Sequence, residues 1–191
     1  MMVVGSVIAR LGSKRLPYKN LLPFEGVPLV RMGVIKLLET RCVDKVVLST
    51  ESELVARQVQ DLDVILLRRP DELSGDKVPS VPVFRHIVDC VGCDIHVNYN
   101  INFPNCDPLV IERAVEIAAG NARGESLSNP YAVWAQTSEC LRNYGDPWKI
   151  MAEVFEDDRV KEPDVHTEAD LLESHRSKSG AFHRWWFSGN E

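Results

Sequence analysis

Between the tenth and twentieth positions the chain reads Arg10-Leu11-Gly12-Ser13-Lys14-Arg15-Leu16-Pro17-Tyr18-Lys19-Asn20. Arg10, Lys14, Arg15 and Lys19 place four cations within ten positions. The chemistry that such a cluster suits is anion binding. Arginine presents a planar fork to phosphate oxygens, and lysine presents a point charge. Gly12 leaves the backbone bare, so that neighbouring N–H groups can form an anion-binding nest. A Walker A loop is excluded, because G-x-x-x-x-G-K-[ST] is absent. On the residues alone, a solvated basic turn is an equal alternative.

The elements that must hold this loop are legible in the periodicity. Val3 to Ala9 is a short apolar, β-branched run that reads as a buried strand, and the basic loop follows it directly. Residues Pro28 to Thr40 carry apolar positions at helical spacing. A second strand is expected at Lys45 to Ser49 and a second helix at Ser52 to Gln60. Val64 to Leu67 reads as a third strand, Val81 to Val91 as a helix, Asp94 to Ile101 as a fourth strand, and Pro108 to Gly120 as a helix ending at glycine. Short apolar strands alternating with amphipathic helices predict a three-layer α/β/α, Rossmann-like fold with a mostly parallel sheet. Ligands on such a sheet bind at the carboxyl ends of its strands. Those ends are the loops Arg10–Asn20, Ser49–Glu51, Arg68–Pro79 and Asn102–Asp107.

Beyond residue 120 the pattern weakens. NARGESLSNP reads as loop, AVWAQ as a strand and YGDPW as a turn. Asp164 to His175 reads as a turn into a last helix, with Thr167 as its N-cap and Asp170 in the capping-box position. No linker interrupts the chain, so one domain is expected over 1–175, followed by a tail over 176–191 that carries Trp185, Trp186 and Phe187. That cluster suits an interaction patch or a docked end.

Composition narrows the function classes. The chain has 191 residues, 45% of them hydrophobic, and a formal net charge of -6. An acidic balance argues against general nucleic-acid binding, though a few converging cations still bind a polyphosphate. No apolar run approaches the roughly 20 residues of a membrane helix, and the N-terminus does not read as a secretory signal, which makes the cytoplasm the expected compartment. Five cysteines at irregular spacing predict no disulfide framework. Cys90 and Cys93 form a C-x-x-C, but no second close Cys/His pair accompanies it, and a structural reading is preferred. His86 reads as a surface or packing residue and His96 as a core histidine, while no fixed neighbour is expected for His175 or His183.

The eleven-residue run R-x-G-S-K-x-[IL]-P-x-K-N, carried by Arg10, Gly12, Ser13, Lys14, Pro17, Lys19 and Asn20, resembles the signature of the cytidylyltransferases that activate acidic sugars as CMP-sugars. Gly26-x-Pro28-Leu29 resembles the G-x-P-L of the first helix. Leu48-Ser49-Thr50-Glu51 is similar to S-T-D, with Glu for Asp. Arg69-Pro70-x-Glu72-Leu73-x-x-Asp76 resembles R-P-x-x-L-x-x-D. The resemblance runs over about residues 3 to 120 and again near 164 to 172. It implies the nucleotide-diphospho-sugar transferase type of fold and transfer of CMP from CTP to a sialate-like or 3-deoxy-octulosonate-like sugar, releasing pyrophosphate, with Mg2+ as cofactor. Carried over by position, Arg10 and Lys19 would be catalytic, and Arg10, Gly12, Ser13, Lys14, Lys19 and Asn20 would bind the nucleotide. Arg69 and Asp76 would lie near the cytosine and ribose, with Asn98 and Asn100 on the neighbouring strand end. Homodimers are common in the family, which leaves a homodimer open.

Departures from the family pattern centre on the metal. The octulosonate branch carries V-N-V-Q-G-D-E-P-L-I-D-P, and the run Val97 to Pro108 aligns with it without a gap, placing Asn102 where the family has its magnesium aspartate. Near the C-terminus the family carries D-x-D or V-D-T, whereas this chain has Asp164-Val165-His166-Thr167. The expected metal set is therefore Asn102, Asp164 and His166, with Asp107 in reserve, and only Asp164 is an anion. Magnesium prefers hard, anionic oxygen. The span over 121–163 is also brief for the family, so the acceptor pocket is reduced, altered or shared. A non-catalytic nucleotide- or sugar-binding relative is the alternative these departures support. A nucleotide-sugar-using glycosyltransferase is a third reading, and it would want a D-x-D at a strand end.

Overall fold

The computed structural model describes residues 1–144 and 153–187. A seven-stranded sheet forms its centre, in the order β5-β4-β1-β6-β8-β7-β9. The strands are β1 (Val3–Ile8), β4 (Lys45–Thr50), β5 (Ile65–Arg68), β6 (Ile95–Tyr99), β7 (Glu125–Asn129), β8 (Val133–Thr137) and β9 (Glu153–Glu156). A small antiparallel hairpin, β2 (Pro23–Phe24) with β3 (Val27–Pro28), sits beside the sheet. The helices are α1 (Leu29–Leu38), α2 (Glu53–Ala56), α3 (Ser80–Val91), α4 (Leu109–Gly120), α5 (Ser138–Arg142) and α6 (Glu168–Phe187). Neighbours β1–β4, β1–β6, β4–β5 and β7–β9 pair parallel, and β8 alone runs against the rest.

Alternation along β1 explains the layers. Val3 and Val7 face one side of the sheet and pack with Val30, Val34 and Leu37 of α1 and with Ile111 and Ala114 of α4. Val4 faces the other side and packs with Val47 and with Val83 and Ile87 of α3. Both faces of the strand are covered, which is why its sequence is a continuous apolar run. The three-layer, mostly parallel fold expected from the sequence is therefore present.

The chain leaves β1 for β4 and β5 on one side, then returns through α3 to β6 on the other. The carboxyl ends of β1 and β6, at Ile8 and Tyr99, diverge at this switch and open a crevice. Because β8 is antiparallel, its amino end lies at the same edge, with Tyr99 paired to Val133.

Several elements differ from expectation. Residues 125–129, expected as loop, form β7, whose Ser126, Ser128 and Glu125 are buried: Ser126 Oγ donates to Ala114 O at 2.6 Å, and Trp134 Nε1 donates to Glu125 Oε1 at 2.8 Å. The second helix is a single turn, Glu53–Ala56, continued by a 3-10 turn at Arg57–Val59. The hairpin, α5 and β9 were not expected. The last helix passes His175 and runs to Phe187, across the expected domain–tail boundary. The rest of the expected YGDPW turn, Gly145 to Trp148, and the packing of the Trp185–Phe187 cluster lie outside the described residues.

Candidate functional site

The crevice at the switch point is a trough of about 420 Å3, and the basic loop forms one bank of it. The loop is fixed from within. Leu16 is buried, Asn20 Nδ2 donates to Arg10 O at 2.7 Å, and Leu11 N donates to Glu51 Oε1 at 2.8 Å. Asn20 thus braces the loop, and Glu51 of the S-T-E run ties it to the end of β4. A Cβ on Gly12 would meet no protein atom within 4 Å, so its bareness leaves open the mouth of the trough.

Each cation of the bank has a partner. Asp76 bridges two of them, with Oδ1 at 2.5 Å from Arg10 Nη1 and Oδ2 at 2.6 Å from Lys14 Nζ. Lys14, with Arg10, holds the Asp76 carboxyl below its ordinary range. Asp76 thus neutralises two cations of the basic loop, and it also lines the smaller cavity beside the trough. Arg15 Nη2 lies 2.7 Å from His166 Nδ1, and His166 Nε2 lies 2.9 Å from Asp164 Oδ2. Lys19 Nζ donates to Asn102 Oδ1 at 2.6 Å and to Val165 O at 3.2 Å. Burial lowers the Lys19 ammonium to about 8; Asp164 pushes back up, and Arg15 and Arg10 add to the fall.

The opposite bank comes from β6 and the turn before β8. Asn98 is buried, and its amide is used inside the protein: Nδ2 donates to Ser6 O and Ser6 Oγ, both at 3.2 Å, and Oδ1 accepts from the Tyr131 hydroxyl at 3.1 Å. Asn100 Nδ2 donates to Tyr131 O at 2.9 Å, while its Oδ1 accepts from Asn102 N at 3.2 Å. Asn98 and Asn100 therefore line the trough as supports. Arg69 is also buried, donating through Nε and Nη2 to Ser49 Oγ and O at 3.2 and 2.6 Å. It lines a second cavity of about 190 Å3, which shares Ile8, Arg10, Asp76 and Ser80 with the trough.

The loop carrying Asn102 is held from α1, where Lys36 Nζ donates to the Tyr99 hydroxyl at 3.1 Å, to Pro104 O at 2.9 Å and to Cys106 O. Val165 N donates to Asn102 O at 2.8 Å, which draws Asp164 and His166 over the trough. Thr167 and Asp170 form the expected capping box, with Thr167 N donating to Asp170 Oδ2 at 2.7 Å and Asp170 N to Thr167 Oγ1 at 3.3 Å.

The members of the expected metal set are partly engaged within the protein. Both ring nitrogens of His166 face protein partners, and Asn102 Oδ1 faces the Lys19 ammonium. Asp107 does not serve either, since its Oδ1 accepts from Leu109 N at 2.8 Å at the start of α4. Among the described residues, no group of three or more His, Cys, Asp or Glu could hold a metal ion. Asp164 Oδ1 is buried without a protein partner, and it is the free anionic oxygen of the set. One carboxylate and one amide oxygen fit a magnesium ion that arrives on nucleotide phosphates, and do not make a resident metal site.

Among the described residues, the other histidines and the cysteines do not line the trough. His96 is buried, with Nε2 2.8 Å from Ser6 Oγ, and is the core histidine expected. His175 has a neighbour after all: its ring lies 4.8 Å from that of Phe24 in the hairpin. Cys90 and Cys93 are free thiols beside His86 and Ser138 respectively.

Sequence reasoning missed Tyr131. The turn that carries it, Asn129-Pro130-Tyr131, joins β7 to β8, and its only signal was Asn-Pro ahead of an apolar strand.

A family model described as cytidylyltransferase matches residues 4–176, nearly the whole described chain. The chain belongs to the cytidylyltransferase family. The 3-deoxy-manno-octulosonate cytidylyltransferase of Syntrophobacter fumaroxidans is 30% identical over 149 residues, covering 77% of this chain and 56% of the relative. An N-acylneuraminate cytidylyltransferase of Escherichia coli is 31% identical over 84 residues, 44% of this chain and 20% of that one. The chain thus spans about half the length, or less, of the curated relatives it matches. Among solved structures, a CMP:2-keto-3-deoxy-manno-octonic acid synthetase complexed with CTP superposes with a TM-score of 0.76 at 19% identity, covering 94% of this chain and 99% of that one. A Mycobacterium tuberculosis protein in complex with manganese superposes with a TM-score of 0.60 at 14% identity, covering 93% and 100%. These two likenesses show the fold of this chain. No helix among the described residues is long and apolar enough to cross a membrane.

Proposed function

We propose that the chain transfers CMP from CTP to an acidic sugar of the sialate or 3-deoxy-octulosonate kind and releases pyrophosphate. The observation that carries this reading is the convergence of Arg10, Lys14, Arg15 and Lys19 on one bank of a trough at the β1–β6 switch point. An oxygen of the acceptor hydroxyl attacks the α-phosphorus. The bond from that phosphorus to the bridging oxygen breaks, pyrophosphate leaves, and the hydroxyl proton passes to solvent.

The chain's residues serve this step by charge and position. The triphosphate displaces Asp76 from Arg10 and Lys14, so these cations exchange one carboxylate for several phosphate oxygens. Lys19, drawn inward by Asn102 and the Val165 carbonyl, stands where charge grows on the leaving group. Magnesium is the metal we propose, bound with the nucleotide through Asp164 and Asn102, where it would neutralise phosphate charge. A homodimer and a cytoplasmic location remain part of the proposal.

A non-catalytic, nucleotide-binding relative is the second reading, favoured by the single carboxylate in the expected metal set. Pyrophosphate release with CTP, magnesium and an acidic sugar tests the first reading. CTP binding with no release for any sugar would establish the second.

A further inference from the structure

The bank opposite the cations is built around one aromatic ring that neither the family signature nor the charge pattern marks. Tyr131 is half-buried and lines the trough. Three contacts fix it. Its hydroxyl donates to Asn98 Oδ1, its backbone carbonyl accepts from Asn100 Nδ2, and its ring meets the Trp134 ring edge-on, with centroids 5.7 Å apart and planes at 90°. Each support is itself anchored. Asn98 is tied to Ser6, and Trp134 is pinned by buried Glu125 and by an edge contact to Phe84 at 5.6 Å. The amides that line this bank are spent on holding the ring, so the ring is the surface they offer to a ligand. A wall held this firmly orders no side chain when a ligand packs on it, which lowers the entropic cost of binding.

Position says which part of the reaction meets it. The two cavities share Arg10 and Asp76. The smaller one is lined beyond them by Arg69, Leu73, Val78 and Val83, a mix of apolar side chains and a buried guanidinium that suits a flat, polar base. The trough extends the other way, toward Asn100, Tyr131, Lys19 and His166, where polar groups and a cation flank a ring. A hydroxylated molecule suits that lining, since an aromatic face takes its apolar C–H surface while the polar side chains face its hydroxyls.

We propose that Tyr131 is a specificity-determining residue for the acceptor, its fixed ring being the wall against which the acceptor sugar packs. This rests on the transferase reading above.

The test uses the full chain as wild type, Tyr131→Phe and Tyr131→Ala, with N-acetylneuraminate and 3-deoxy-manno-octulosonate as probes. Tyr131→Leu replaces the alanine variant if that one does not fold. Pyrophosphate release gives the acceptor KM, and calorimetry gives the CTP Kd. Losing the ring raises the acceptor KM about tenfold or more and leaves the CTP Kd within about twofold. Losing only the hydroxyl removes one of the ring's holds and raises the acceptor KM about threefold. An unchanged acceptor KM without the ring overturns the inference, as does a CTP Kd that weakens in parallel. If the wild type binds CTP but releases no pyrophosphate with either sugar, the transferase reading fails. The inference is then decided by calorimetry of the same sugars on the CTP-loaded protein. Binding lost with the ring supports it, and binding that is absent from the wild type or equal in the two proteins overturns it.

Discussion

At the scale of single residues, the site is a set of cations each held by a protein partner. Lys19 makes the most specific of these contacts, to Asn102 Oδ1 and Val165 O. Lys19→Met keeps the length of the stem and removes the charge that, on the transferase reading, faces the leaving phosphates. Its kcat/KM falls by about a hundredfold or more, with CTP binding less affected than turnover. A loss confined to KM would instead place Lys19 in ground-state binding. Asp76 acts in the opposite sense, because its carboxylate holds Arg10 and Lys14 before the triphosphate does. Asp76→Asn therefore tightens binding of inorganic triphosphate by about threefold to tenfold, measured by calorimetry at low salt. Weaker binding in that variant would show that Asp76 organises the loop more than it competes for it. The cations were legible in the sequence because charge clustered after an apolar strand needs no tertiary information. Their partners were not. That Asn98 is spent on Ser6 and Tyr131, and His166 on Arg15, depends on contacts between residues from about thirty to a hundred and fifty positions apart, which spacing does not encode.

At the scale of elements, the four strand–helix units up to residue 120 follow from periodicity, since strands buried on both faces read as plain apolar runs. β7 escaped because Glu125, Ser126 and Ser128 are buried polar residues, and Ser126 and Glu125 find their partners outside the strand, at Ala114 O and Trp134 Nε1. Two element contacts carry consequences that can be measured. α1 approaches the Asn102 loop closely at Gly33, where an added Cβ would lie 2.2 Å from Ile101 Cγ2 and 3.4 Å from Val7 Cγ2. Gly33→Ala destabilises the fold by about 2 kcal/mol through overpacking and shifts the loop that carries Asn102, so that Tm and turnover fall together. A variant with unchanged Tm would show that the helix can retreat freely. The second contact is His96, buried between β1 and β8 with its Nε2 on Ser6. Burial lowers its pKa from 6.5 to about 4. The folded state keeps the ring neutral, whereas the unfolded chain protonates it below 6.5. Its contribution of about 3 kcal/mol is thus full above pH 6.5 and is lost as the pH falls toward 4. Urea unfolding at pH 7.5 and 4.5 should show that loss in the wild type and a much smaller one in His96→Gln. Equal slopes in the two proteins would remove His96 from the acid sensitivity.

At the scale of the whole molecule, an acidic chain with a formal net charge of -6 gathers four cations at one edge of its sheet, and the fold explains how. The reversal of strand order at β1 and β6 opens the crevice, β8 brings Tyr131 to the far bank, and the segment before α6 lowers Asp164 and His166 over the top. The sequence signature and the family match agree on nucleotide chemistry, while Asn102 and His166 replace two carboxylates that the family pattern supplies. Whether one carboxylate suffices is therefore the question on which the transferase reading turns. The decisive measurement is pyrophosphate release by the purified protein with CTP and an acidic sugar, with and without magnesium. The transferase reading predicts release with at least one sugar, dependent on magnesium and one pyrophosphate per CMP-sugar formed. CTP binding with no release for any acidic sugar would contradict it.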